Sequence, residues 1–153
     1  MKQQGINCEM AREFAKDVVW ERNFSVLQDQ IYVFGEQQHR LRRLKGKVDY
    51  IITDSPLLLS LFYGKHLSEA FKTLVLEEHH RYDNINIYLN RVKPYNPNGR
   101  TQTEEEAQAV DVAIGDILDS NLIDYQEVVA DKTAAQIILS RVLSDKISNE
   151  KQI

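Results

Sequence analysis

A single cysteine, Cys8, in 153 residues excludes an intrachain disulfide, and with it the class of small secreted domains held by disulfide frameworks. Proline and glycine are scarce, at 3 and 6 residues, so no stretch is rich enough in either to serve as a linker, and nothing repeats at a fixed period. Long apolar runs are missing as well. Leu57-Leu58-Leu59, continued by Ser60, Leu61, Phe62 and Tyr63, falls far short of the roughly 18 residues that a bilayer span needs. The opening Met1-Lys2-Gln3-Gln4 is too polar to begin a secretory signal. These absences predict a cytoplasmic protein with no membrane partner. Basic charge is not in excess: 19 Lys and Arg stand against 23 Asp and Glu, a net of −4. A nucleic-acid coat is therefore not expected, whereas a local basic site for a small anion is compatible with the balance. What the chain does have is 42% hydrophobic and 27% charged residues, the composition of one globular domain over 1–153. At this length folding buries about 68–70% of the unfolded surface, so the core needs no metal or disulfide staple.

Short β-type runs alternate with longer helical ones, the pattern of a parallel sheet covered by helices, which predicts an α/β fold. Residues 6–14 alternate apolar and polar positions and read as a strand entering a helix near Ala15. Apolar spacing predicts the longest helix over 25–45, closed by Gly46 as a C-terminal cap. Val48 to Asp54 is a β-branched run and reads as a buried strand that delivers Asp54 to a sheet edge. Leu57 to Tyr63 is a helix or turn, 66–82 a helix, and 85–91 a strand. Lys93 to Gln102 is a true loop, since two prolines, two asparagines and a glycine forbid regular structure there. Thr103 with Glu106 has capping-box spacing and opens a further helix; a strand over 125–130 and a helix over 132–146 complete the chain.

Three groups of residues have chemical potential. Asp54-Ser55-Pro56 ends a hydrophobic strand, where a carboxylate can hold hydrated magnesium or take a proton; equally, Asp54 can cap the next helix, with Pro56 in its first turn. Arg91, Lys93, Tyr95, Gly99 and Arg100 form a basic, irregular segment that could close over a phosphate as a lid over about 91–103, or be a solvated surface loop. Arg40, Arg42, Arg43, Lys45 and Lys47 are explained by a helix C-terminus, whose dipole favours cations. Gln30, Gln37, Gln38 and Arg40, beside Tyr32 and Phe34, form a mixed face that could read a base or an acceptor, or be the face of a partly solvated helix. Glu13 follows a strand and shares a sheet rim with Asp54, although by spacing it is also an ordinary surface acid. His79-His80 lacks a zinc-type spacing, and Cys8 reads as a small core residue.

Taken together, the segments Glu13 to Asp17 with Trp20-Glu21, Gln30-Ile31-Tyr32 with Gln37, Asp49 to Leu57, and Lys93-Pro94-Tyr95 with Gly99 to Ala107 resemble a family of P-loop NTPases. It is the AAA-type ATPase group that includes the kinase domain of NadR, common in bacteriophages and bacteria and related in fold to nucleoside and nucleotide kinases. The resemblance covers residues 5–142. It implies a three-layer α/β/α fold with a mainly parallel sheet, located in the cytoplasm of a bacterium or of a phage-infected host cell. It also implies phosphoryl transfer from ATP, with Mg2+, to a nucleoside- or nucleotide-like small molecule. By matching position it gives Asp54 the metal-side role and Arg100, with Arg91, the phosphate clamp, the two parts sharing one cleft. Glu13 becomes the acceptor-side acid, with Gln37 and Tyr95 on the substrate, and Ala130 and Asp131 lie near the nucleotide base.

One part of that pattern has no counterpart here. The family opens with a strand, a glycine-rich Walker A loop and a helix, yet no G-x-x-x-x-G-K-[ST] occurs in these residues, and neither Gly46-Lys47 nor Gly64-Lys65 supplies it. The expectation is an N-terminally truncated or degenerate member in which phosphoryl transfer is impaired, so that enzymatic activity in this chain is left open. The missing strand should be the central one. Its loss leaves the strands ending at Asp54 and Arg91 with unpaired edges, prone to self-association, or makes them pair directly. Two other readings stand beside this one: a non-catalytic binding or interaction protein on the same fold, and a protein acting on nucleic-acid ends.

Overall fold

The computed structural model describes residues 1–92 and 103–150, in which strands and helices alternate along the chain. They are β1 (Cys8–Met10), α1 (Phe14–Trp20), α2 (Gln30–Arg42), β2 (Tyr50–Ile52), α3 (Leu59–Tyr63), α4 (Glu69–His80), β3 (Ile87–Asn90), α5 (Glu104–Ser120), β4 (Gln126–Val129) and α6 (Ala134–Glu150). The fold is α/β with parallel strands. The described residues belong to two compact units, one of 1–83 with 103–117 and the other of 84–92 with 118–150.

In the first unit β1 and β2 pair in parallel, Cys8 opposite Tyr50 and Met10 opposite Ile52, and Ala11 N–H donates to the Ile52 carbonyl at 2.8 Å to carry the ladder one step further. Both chains therefore leave the sheet at the same end. The helices are set by local capping. Asp29 accepts from Tyr32 N–H at 3.1 Å to start α2, and Ser68 accepts from Phe71 N–H at 3.4 Å to start α4. Along α4, Phe71, Val75 and His79 fall at successive fourth positions and are buried. Val18, Phe34, Leu41, Leu57, Leu58 and Leu61 are buried in the same unit, and Phe34 meets Phe71 edge to face at 5.5 Å between centroids. Cys8 is a buried core residue.

His79 closes the buried stripe of α4 and has an electrostatic cost. Burial, reinforced by neighbouring His80, pulls its imidazole below the ordinary value of 6.5. The folded state thus binds the proton less readily than the unfolded chain, so this contribution is complete above pH 6.5 and is lost as pH falls toward the depressed value. Thermal unfolding should show it: Tm is expected to drop between about pH 7 and pH 5, and His79→Gln should flatten that drop. An equal drop in both proteins would assign the acid sensitivity elsewhere.

The second unit is built on β3 and β4, also parallel, with Ile87 opposite Gln126 and Asn90 opposite Val129. Tyr88 and Tyr125 lie with ring centroids 5.8 Å apart, and α6 packs on β4 through an interior containing Val128 and Val142.

The capping box at 103–106 forms as read: Thr103 N–H donates to Glu106 Oε2 at 2.7 Å and Glu106 N–H to Thr103 Oγ1 at 3.2 Å. Other expectations need correction. The helix predicted over 25–45 is shorter, because a 3-10 turn at Val26–Gln28 precedes the Asp29 cap and α2 ends at Arg42. Gly46 does not cap it; with φ of 75° it supplies the left-handed turn before β2. The longest helices are α5 and α6, 17 residues each against 13 for α2. The strand read as buried is half-buried to exposed. Each sheet has two strands among the described residues, so apolar strand residues stay uncovered: Met10 is 51%, Ile52 41%, Leu89 52% and Val129 49% exposed. No described helix is long and apolar enough to cross a membrane.

Candidate functional site

Parallel pairing puts the carboxyl ends of β1 and β2 on one rim, and three of the sequence-predicted residues gather there. β1 runs through Ala11 and Arg12 to Glu13, the half-buried N-cap of α1, which makes no side-chain capping bond. β2 runs through Thr53 to Asp54. Gln37, buried on α2, joins the two exits: its Oε1 accepts from Phe14 N–H at 2.9 Å, and its Nε2 donates to Thr53 Oγ1 at 3.5 Å. Thr53 Oγ1 in turn accepts from Ser55 N–H at 3.1 Å. A neutral amide suits this place, because it can accept from a backbone N–H at one end and donate at the other without burying a charge. Thr53 was not singled out in the sequence, where a threonine closing a β-branched run looks like one more strand residue.

Asp54 is exposed and its carboxylate has no partner among the described residues. The capping alternative is not realised. Helix α3 begins after Leu58 with no side-chain cap, and the turn at Ser55 is held by Thr53 instead. An acid that stabilises nothing locally, presented at the carboxyl end of parallel strands, is available to a cation or a proton donor. No group of three or more His, Cys, Asp or Glu residues among those described is placed to hold a metal.

In the second unit Arg91, Ala130 and Asp131 are brought to the carboxyl ends of β3 and β4. Exposed Arg91 follows β3 directly, and Ala130 N–H donates to the Asn90 carbonyl at 2.9 Å. Asn90 Nδ2 also donates to Glu127 Oε2 at 2.8 Å, fixing the register at this end. Asp131 is committed locally: its Oδ1 accepts from Thr133 N–H at 2.7 Å and from the Thr133 hydroxyl at 2.6 Å. Those bonds hold its carboxyl below the usual aspartate range. Tyr95 and Arg100 lie outside the described residues.

The basic residues near the end of α2 divide by what they touch. Arg40 pairs with Asp17 at 2.8 Å, donates to the Arg12 carbonyl at 3.3 Å and covers the Phe14 ring at 5.2 Å. Lys45 donates to the Arg81 carbonyl at 2.6 Å and covers the Tyr82 ring. Both are structural.

Among known proteins, a family model described as an AAA domain matches residues 3–134. Neither a curated protein nor a solved structure gives a match.

Proposed function

Because this chain belongs to the AAA-domain family, whose P-loop NTPase-like members bind nucleotides and typically take ATP with Mg2+, we propose that its rim at β1 and β2 is the acid side of a nucleotide site. The parent chemistry in this proposal is phosphoryl transfer from ATP to a nucleoside- or nucleotide-like acceptor. The observation that carries it is the Asp54 carboxylate, without a partner among the described residues, at the parallel strand ends. Mg2+, when bound, supplies charge neutralisation on phosphate oxygens.

Within this reading Asp54 would hold the hydrated cation, and Glu13 would serve the acceptor side. Gln37 is a positioning residue, since both ends of its amide hold the backbone exits that carry Glu13 and Asp54. The resemblance in sequence assigns Arg91 and Arg100 to the transferring phosphates, Tyr95 to the substrate, and Ala130 and Asp131 to the neighbourhood of the base. The chemistry asks little covalent work of the protein, because transfer is mostly positioning and charge stabilisation.

These 153 residues contain no G-x-x-x-x-G-K-[ST], so the backbone nest and lysine that grip the β- and γ-phosphates must come from elsewhere if transfer is to be efficient. These residues by themselves are expected to transfer phosphoryl groups poorly, and a binding role is the second reading. In a form of the protein carrying such a loop ahead of these residues, magnesium-dependent ATP turnover is expected, and Asp54→Ala and Arg100→Ala should each lower it by about 100-fold or more. Full turnover in both variants would overturn the assignment.

A further inference from the structure

The first unit holds an open groove of about 450 Å³ lined by Met10, Arg12, Glu36, His39, Arg40 and Arg43, which come from β1, its exit, α2 and the residue that caps it. Glu36, His39, Arg40 and Arg43 are spaced to share one face of α2, whereas Arg12 comes from the β1 exit, 24 or more residues away in the chain. A helix dipole accounts for cations in the last turn of α2 but not for an arginine brought opposite them by another element. Arg40 is neutralised by Asp17. The guanidiniums of Arg12 and Arg43, by contrast, have no partner among the described residues, and both are exposed.

We propose that this groove binds a small molecule bearing a phosphate group, held by the forks of Arg12 and Arg43. The volume is that of a small-ligand cleft. Two unpaired guanidiniums match the oxygens of a phosphate in bidentate fashion, which an ammonium cannot do. Glu36 adds an acceptor on the helix wall, so the preferred ligand carries a hydroxyl or amine donor next to its phosphate. Exposed Met10 offers an apolar contact for the ligand body. The two strand-rim acids take no part, and the site stands whether or not the nucleotide reading does.

The test follows backbone amide shifts of the 153-residue chain during titration with inorganic phosphate in the absence of metal, with glycerol 3-phosphate as the hydroxyl-bearing probe. Shifts centred on Arg12, His39 and Arg43 are expected, with the phosphomonoester binding more tightly than phosphate. Arg12→Ala and Arg43→Ala should each weaken binding about tenfold. Lys47→Ala, which removes the same charge from an exposed position outside the groove, should change it less than about twofold. Circular dichroism of the variants checks that folding is unaltered, as both arginines are exposed. Absence of shifts in the groove, shifts centred on Thr53 to Ser55 instead, or an equal loss in Lys47→Ala would each overturn the proposal.

Discussion

Phe71→Ala is expected to lower the free energy of unfolding by about 3–5 kcal/mol, the range found when a buried phenylalanine is removed. The ring is buried on α4 and meets Phe34 at 5.5 Å with planes 77° apart, so the substitution removes apolar burial and an edge-to-face pair together. The ring is tightly packed on one side. Gly64 already lies so close that a Cβ there would sit 2.8 Å from Phe71 Cε1 and 2.7 Å from the Ser60 carbonyl oxygen. With a total stability of order 5–15 kcal/mol, such a loss is a large share of what holds the first unit together. Urea denaturation followed by far-ultraviolet circular dichroism measures it, with Phe71→Leu as a milder variant that keeps most of the volume. A loss under about 1 kcal/mol for Phe71→Ala would show that this pair does not organise the core.

What could be read from the sequence was whatever depends on near neighbours. The Thr103 and Glu106 box needs residues three apart, and it forms. The strand and helix positions follow from local periodicity, and their order along the chain is the one read. The start of α2 was misplaced because Ser25 and Asp29 are both competent caps, and only the 3-10 turn between them decides in favour of Asp29. The burial of β2 departs from its composition for a different reason. Tyr50-Ile51-Ile52 has the composition of a covered strand, but coverage is decided by strand partners, and a two-stranded sheet leaves Ile52 exposed. The placing of Asp54 and Glu13 at one sheet rim could be read because each follows a strand. The bond pair of Gln37 joins residues 23 and 16 positions away, and no local pattern announces it. The groove is hidden from local pattern for the same reason, since Arg12 and Arg43 line it from distant parts of the sequence.

The second large effect concerns affinity. Magnesium–ATP should bind these 153 residues with a Kd near about 1 mM, some three orders of magnitude weaker than a micromolar nucleotide site. A glycine-rich loop contributes several charge-assisted hydrogen bonds to phosphate, each worth about 1.5–3 kcal/mol, and the loss of two accounts for the roughly 4 kcal/mol between the two affinities. Isothermal titration at high protein concentration measures this. A micromolar Kd would mean that the sequence grips triphosphate by another device and that the impairment does not exist.

Weak binding still leaves a geometric signature, because a paramagnetic ion broadens only the resonances near it. With Mn2+ and ATP at millimolar concentration, the amide signals of Thr53, Asp54 and Ser55 should broaden first in the unaltered chain, and that selectivity should vanish in Asp54→Asn. Broadening that spares those three residues, or that persists unchanged in Asp54→Asn, would contradict the placement of the metal-bearing nucleotide at the rim of β1 and β2.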